Sequence, residues 1–454
     1  MESVMKSKFF VCKLFFNCLV LFAFTCQLCG TEYFVSPSGK DSFLGSREKP
    51  FATFKKGLSV LKPGDILTLT PGDYAGAGDL ILAGTKEKPI LIRAAIPGTA
   101  IIRGDREVKG FKLCAGERFI YELPWDEQTG GVKERDTLSW YDPVKAFELL
   151  RYNRAVWFHD VKKKKLYVVT SDGKAPDTHV MTVCTGDPRE GHGLQLLGKS
   201  AYLHFDGLTF TGFDSYVIKW DNRYYSVKSL YFRKSSNMKV TNCRFFLNGC
   251  GLTGNTVKNI LVENCVSYAN YSLTDDSAAN IYFVSGTNEN CIVRKCTTFR
   301  SKLSGIRFYA AASPGCVIEK CVSWGHGVSD FQVKPPDKRA VIRECVALKD
   351  ATTHTVRNNI IAGNVFRPKP QDDPTSLYWT QKGIREKMQY NLADWENFDG
   401  RPMSDSTFKG GLPYDKTVYF LAPDGKDTNS GTTIRAPRKS LKNIPDLMSL
   451  LRVN

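Results

Sequence analysis

Short stretches in which apolar and polar residues alternate, broken by Asn, Gly and Lys, fill most of the chain between Phe205 and Val365. Five of them share one pattern: Val240-Thr-Asn-Cys243, Val262-Glu-Asn-Cys265, Val293-Arg-Lys-Cys296, Ile318-Glu-Lys-Cys321 and Ile342-Arg-Glu-Cys345. Their cysteines follow one another at intervals of 22, 31, 25 and 24 residues. Asn359 to Val365 continues the series with valine in the cysteine position, and Phe205-Asp-Gly-Leu208 begins it. A period of two within each stretch predicts strands, and self-similarity at about 20–30 residues marks a solenoid. The leucine spacing of a leucine-rich repeat is absent. The predicted fold is therefore all-β, a parallel β-helix whose equivalent positions stack about 4.8 Å apart. The cysteine column should face inward as a row of small apolar thiols, because a disulfide between stacked strands would be strained. Cys291 and Cys316 suggest a second such row, and Arg294, Glu319 and Arg343 form a ladder of alternating sign.

One strand before the cysteine column, the coils align as Gly251-Leu-Thr-Gly254, Asn280-Ile-Tyr-Phe283, Gly305-Ile-Arg-Phe-Tyr309 and Asp330-Phe-Gln-Val-Lys334. Alternation turns Leu252, Ile281, Ile306, Phe308, Phe331 and Val333 inward. The outward set is then Asn280, Tyr282, Arg307, Tyr309, Asp330, Gln332 and Lys334. Asp275 and Asp276 enter this face from a loop, and His326 from the loop two coils later. Lys334 stands one coil and two residues from Arg307, roughly 8 Å. Acid, base, arginine and tyrosines on adjacent rungs suit a sugar-acid site. β-Elimination at a uronate needs the carboxylate neutralised and the C5 proton removed.

The start of the chain adds a resemblance. Tyr33-Phe-Val-Ser-Pro-Ser-Gly-Lys-Asp41, Lys49-Pro-Phe-Ala-Thr-Phe54, Lys62-Pro-Gly-Asp65 and Pro71-Gly-Asp-Tyr74 resemble the opening of many secreted right-handed parallel β-helix proteins. These include polysaccharide lyases of the pectate-lyase and chondroitinase-B type. With the coils, the resemblance covers 31–105 and 190–370. It implies an N-terminal cap, an acidic polysaccharide as partner, a lysine base on the β-helix face and aspartates holding calcium. Lys334 is the position nearest that base, with Arg307, Tyr309 and His326 as further catalytic candidates. Asp275, Asp276 and Asp330 are the candidate calcium ligands, and Asn280, Tyr282 and Gln332 the candidate substrate contacts. The family's Asp-Asp-Gly and Gly-Phe-Lys-Leu-Gly contexts are missing, and Pro335-Pro336 ends the strand of Lys334.

Residues 106–189 break the repeat with Trp125, Trp140, Tyr141, Trp157 and Phe158, which predicts an inserted aromatic-rich β module. The basic run Lys162–Lys165 falls between two strand-like stretches and reads as a hairpin turn, not as a nucleic-acid patch. Residues 371–415 read as a polar tail or linker, and 416–454 repeat the opening motif without its coils. Residues 1–30 pair Lys6, Lys8 and Lys13 with a short apolar run, the pattern of a cleaved signal peptide; an N-terminal anchor is the alternative, and Cys26 lies in a poor context for lipidation. No later stretch is long and apolar enough to span a membrane. The expectation is a secreted or cell-envelope monomer.

A net charge of +17 favours an acidic partner over a neutral one. Four of the fourteen cysteines lie within the signal-like segment. Asn270-Tyr-Ser272 is a glycosylation sequon, meaningful only in a eukaryotic secretory pathway. A hydrolase needs a carboxylate pair at acid/base spacing, and Asp276 with Asp330 is too distant a pair. Gly191-His-Gly193 and Gly325-His-Gly327 lack the companion motifs of polygalacturonase-type hydrolases. A uronate lyase is thus the first expectation. A non-catalytic glycan binder is the alternative from another class, and a glycoside hydrolase the third.

Overall fold

The computed structural model describes residues 30–127, 129–185, 192–213, 227–272, 279–334 and 340–347, with short strand pieces out to 379. The signal-like segment and the repeated opening motif lie outside the described residues. So do Asp275 and Asp276. Three long parallel sheets run along the molecule, and each coil between the first and last turns contributes one strand to each. Coil by coil, Ser236–Thr241 belongs to sheet A, Arg244–Phe246 to sheet B and Leu252–Asn255 to sheet C. The next coil supplies Lys258–Glu263, Val266–Tyr268 and Ile281–Val284. This is the parallel β-helix that the repeat predicts, and connections of this kind are right-handed.

The register explains the repeat. In sheet A, Ile92, Phe205, Val240, Val262, Val293, Ile318 and Ile342 pair in one line, rung on rung. All are fully buried. Removing each from water contributes on the order of 2 kcal/mol before the entropy cost is set against it. Sheet C carries a second apolar column, where Phe283 stacks on Phe308 at 4.7 Å. Gly254 sits beneath that stack because a Cβ there would lie 2.7 Å from the Phe283 ring.

The corner from sheet A to sheet B consists of two residues, the second being the column cysteine. The first takes a left-handed backbone in every coil: Asn242, Asn264, Lys295, Lys320 and Glu344 have φ between 53 and 57°. Asparagine tolerates this region, while Lys and Glu hold it at a cost of about 1 kcal/mol each. A second asparagine ladder stiffens the entry to sheet A, where Asn259 donates to Asn237 at 3.0 Å and Asn290 to Asn259 at 3.3 Å. The charged ladder also forms, with Arg294 on Glu263 at 2.9 Å and Arg343 on Glu319 at 2.8 Å.

Cys243, Cys265, Cys296, Cys321 and Cys345 are buried and unbridged, as are Cys291 and Cys316. Burial holds the thiols of Cys265 and Cys321 well above the ordinary range. They should therefore stay protonated and unreactive in the folded state. Thiol reagent should label almost none of them in native protein and nearly all after denaturation. Recovery of few free thiols from denatured, unreduced protein would overturn the reading.

Between the sheet B strand Ala100–Arg103 and the sheet C strand Leu194–Leu197 stand two antiparallel sheets. One has four strands, the other five, and Asp142–Pro143 joins the latter by a parallel pair. The basic run forms the expected hairpin: Val156–Asp160 pairs with Lys165–Val169, and Asp160 faces Lys165. Lys164 takes the left-handed turn position with φ 52° and pairs with Asp126. Val132, Trp157, Leu166 and Val183 make a separate core for this insertion.

One polar centre of the insertion titrates. His179 lies 3.1 Å from Asp136 and 3.2 Å from Asp172. Burial pulls its pKa down, but the hydrogen bonds to the two carboxylates outweigh burial, so it is raised. Hydrogen bonds from Lys174 first, and from His179, hold the Asp172 carboxyl below its usual range. The histidine's stabilisation is present below its unfolded pKa of about 6.5 and is lost as pH rises through the folded value. The aspartate's is present above about 3.9 and is lost on acidification. Melting should thus fall between about pH 6 and pH 8, and His179→Gln should flatten that slope. An unchanged slope in the variant would exclude His179 as its source.

Candidate functional site

The outer face of sheet C carries an unbroken row along the helix axis. The register lines up Asp79, Gln195, Tyr231, Thr253, Tyr282, Arg307 and Gln332. Seven rungs at this spacing span about 29 Å. Beside it runs a second row of Arg233, Asn255, Val284, Tyr309 and Lys334. Sheets A and C thus differ. Sheet A shows charged ladders paired among themselves, while sheet C carries aromatic rings, amides and cations in file, of which Gln195, Thr253, Tyr282, Arg307 and Gln332 are each less than a tenth exposed.

At one end, the Arg307 guanidinium carbon lies 5.4 Å from the Tyr282 ring centroid and 4.3 Å from that of Tyr309. Arginine favours such flat stacking. Arg307 is only 6% exposed, Tyr282 is buried and Tyr309 half-buried. Low local polarity strengthens the pull of this cation on an anion. Gln332 is the rung partner of Arg307, and Lys334 takes the register position beside Tyr309. The expected offset of Lys334 from Arg307 therefore holds for the backbone.

Two residues expected on this face are not there. The column shared by Gly251, Asn280, Gly305 and Asp330 faces sheet B: a Cβ at Gly251 would lie 2.7 Å from Ser267 Oγ, and one at Gly305 2.2 Å from Ser323 Oγ. Alternation fails because these positions sit where the chain turns out of the B–C corner, and corner geometry overrides period two. Asn280 is fully buried, accepting from Asn270 Nδ2 at 2.7 Å and donating to the Phe299 carbonyl at 3.1 Å. Asp330 is also fully buried, its carboxylate 3.9 Å from His326 Nε2.

His326 belongs to the same sealed corner. Its Nδ1 accepts the Ser301 backbone N–H at 3.1 Å, which leaves the proton on Nε2, 3.0 Å from Ser323 Oγ. Ser323 in turn meets Thr298 at 2.8 Å, and Ser304 meets Ser329 at 3.0 Å. With its side chain fully buried, His326 organises the interior in this structure. The network also closes the sequon: Asn270 is fully buried and bound to Asn248, Ser267 and Asn280. An oligosaccharide cannot be attached to it in the folded protein.

Of the three candidate calcium ligands, Asp275 and Asp276 lie outside the described residues. Asp330 faces the inner corner, away from the sheet C row, and no group of three metal-ligating side chains occurs among the described residues.

Sequence reasoning missed the other end of the row. His192 stands edge-on to Tyr231 with ring centroids 5.6 Å apart, and its Nδ1 accepts the Lys228 N–H at 3.0 Å. Burial, then the Lys228 charge, pulls its pKa down to about 4, so it is neutral at ordinary pH. Asn255 donates to the Tyr231 hydroxyl at 3.2 Å. Asp79 is exposed, yet burial of its carboxyl raises its pKa against the opposing charge of Arg233. The only visible signal was Gly191-His-Gly193, since strand pairing, not sequence distance, brings Asp79 beside this group.

A family model described as a protein of unknown function (DUF1565) matches residues 37–128. No curated protein sequence matches the chain. Among solved structures, a glycoside hydrolase aligns at 12% identity and a TM-score of 0.46, covering 77% of this chain and 95% of its own. Pectate lyase Pel9A aligns at 15% identity and 0.46, covering 74% of this chain and 70% of that one. A rhamnogalacturonan lyase aligns at 13% and 0.41, covering 74% of each. At these values the site's chemistry rests on its own residues. No helix of the described residues is long and apolar enough to cross a membrane.

Proposed function

We propose that this is an exported carbohydrate-active protein that lays an acidic polysaccharide along the outer face of sheet C and cleaves it by β-elimination. The observation carrying this reading is Arg307 held between the rings of Tyr282 and Tyr309 on an axial row of sugar-compatible side chains. Arg307 pairs with the uronate carboxylate and offsets the charge that develops as C5 loses its proton. Lys334, at the register position beside Tyr309, is the assigned base, with Tyr309 next in line. The base takes the C5 proton, the C5–H electron pair forms the C4–C5 double bond as the bond to the C4 oxygen breaks, and the departing oxygen takes a proton from water to become a hydroxyl. The test is a panel of uronate and neutral glycans, with and without chelator, followed for the ultraviolet absorbance of unsaturated ends. New reducing ends without that absorbance would identify a hydrolase.

Burial of the catalytic candidate His326 and of the calcium candidate Asp330 favours a second reading, a glycan binder that leaves its ligand intact. Binding of a uronate chain with no new ends of either kind would establish it.

A further inference from the structure

In the coils past residue 200 the corner from sheet A to sheet B takes two residues. In the coil before the insertion it takes five, Ala95 to Thr99, between the strands Ile90–Ala94 and Ala100–Arg103. The surplus leaves the coil and is pinned against the coils that follow. The Gly98 N–H donates to the Gly207 carbonyl at 2.7 Å, and Thr209 Oγ1 donates to the Gly98 carbonyl at 3.1 Å. The Thr99 hydroxyl closes the turn on the Ile96 carbonyl at 2.8 Å. Gly98, at φ 84°, lets Arg244 come close, since a Cβ there would lie 3.1 Å from the guanidinium carbon.

A cavity of about 350 Å³ opens beside this loop; pockets for small ligands begin at about 300 Å³. Pro97 and Gly98 form one wall, and Asn242, Arg244, Asn264 and Val266, on two later coils, form the other. Arg244 is exposed, and its side chain makes no ion pair or hydrogen bond among the described residues. Glu263, the residue before Asn264, does not supply a partner, because Arg294 holds it at 2.9 Å and Lys295 at 3.1 Å. The amides form a chain: Asn264 Nδ2 reaches Asn242 Oδ1 at 3.5 Å, and Asn242 Nδ2 donates to Asp206 at 2.7 Å. That chain uses the amide donors and leaves Asn264 Oδ1 as an acceptor with no donor among the described residues.

We propose that this cavity binds one uronate residue of an acidic polysaccharide, at a corner that shares no residue with the sheet C row. That the ligand is a uronate rests on the reading above. Arg244 takes the carboxylate in a two-point contact, and Asn264 Oδ1 accepts from a ring hydroxyl. Pro97 and the half-buried Val266 cover the apolar C–H side of the ring. A bare inorganic anion would use Arg244 alone, and a neutral sugar would leave Arg244 unpaired, so both should bind more weakly than a sugar acid. The role of the site is retention: it ties the protein to one chain while sheet C takes another.

Calorimetric titration of the full chain carrying Arg307→Ala, which weakens the sheet C row, tests this with trigalacturonate, triguluronate and trimannuronate. Galactotriose and inorganic sulfate are the comparisons. At least one triuronate should bind, about tenfold or more tighter than either comparison. Adding Arg244→Gln should weaken it about tenfold or more, and Arg244→Lys should restore only part. Arg244 is exposed, so the melting temperature should not move, and Arg244→Gln alone should leave kcat on a cleaved polysaccharide unchanged. Failure of all three triuronates to bind the Arg307→Ala protein would overturn the proposal. So would binding indifferent to Arg244→Gln, or sulfate or galactotriose bound as tightly. Triuronate binding that depends on Arg244, in a protein that cleaves no uronate polymer, would support this site and count against the sheet C chemistry alone.

Discussion

Lys334→Ala should lower kcat on a cleavable uronate polysaccharide by about a thousandfold or more, roughly 4 kcal/mol, with binding almost intact. The base acts only once the C5 proton begins to move, so its removal is felt in the transition state alone. Arg307→Ala should behave differently. Arg307 would meet the carboxylate in the ground state and the transition state alike, so its loss should raise KM about a hundredfold and change kcat less. Arg307→Lys keeps the charge but loses the flat contact with Tyr282 and Tyr309, and should recover only part of the binding. Full-rate turnover by Lys334→Ala would move the base to Tyr309. A KM untouched by Arg307→Ala would place the carboxylate elsewhere on the row.

Gly305→Val should damage the fold severely. A Cβ at this position would lie 2.2 Å from Ser323 Oγ, 2.5 Å from Thr298 Oγ1 and 2.6 Å from the Asp330 carbonyl. The last of these is backbone and cannot turn away. Overpacking of this kind costs about 1–3 kcal/mol. Displacing the buried hydroxyls from each other and from His326 costs a further 1–3 kcal/mol or so. The urea midpoint should fall steeply, with loss of folded protein at 37 °C. A midpoint within about 0.5 kcal/mol of the parent would mean that the corner relaxes more freely than its hydrogen bonds suggest.

The solenoid was legible because stacking makes every coil obey the same constraint. Valine or isoleucine three residues before a cysteine recurs in five coils, since that site always meets its own copy above and below. Tyr282, Arg307, Tyr309 and Gln332 were legible for the same reason, sitting inside regular strands where alternation holds. Asn280 and Asp330 were misplaced because they sit at a corner, where the backbone turns and period two ends. The Asp79, His192 and Tyr231 group was not legible at all. Its members belong to coils on either side of the insertion, and only the pairing of Gly78–Leu80 with Leu194–Leu196 brings them together.

That pairing has a consequence for how the chain assembles. Beyond residue 200, successive rungs are joined by local steps, so each coil can form on its predecessor by closing a short loop. The first coils instead meet the rest across a seam where Leu82 is hydrogen-bonded to Ser200, 118 positions away. Closing so long a loop costs only about 1 kcal/mol more than closing one coil, but long-range contacts slow folding far more than they weaken it. Refolding should therefore proceed in two phases, with coils past the seam zipping first and the N-terminal cap docking last. Until it docks, the open edge of Leu203 and Phe205 is a bare β-strand template, and that interval is when the molecule is most exposed to aggregation.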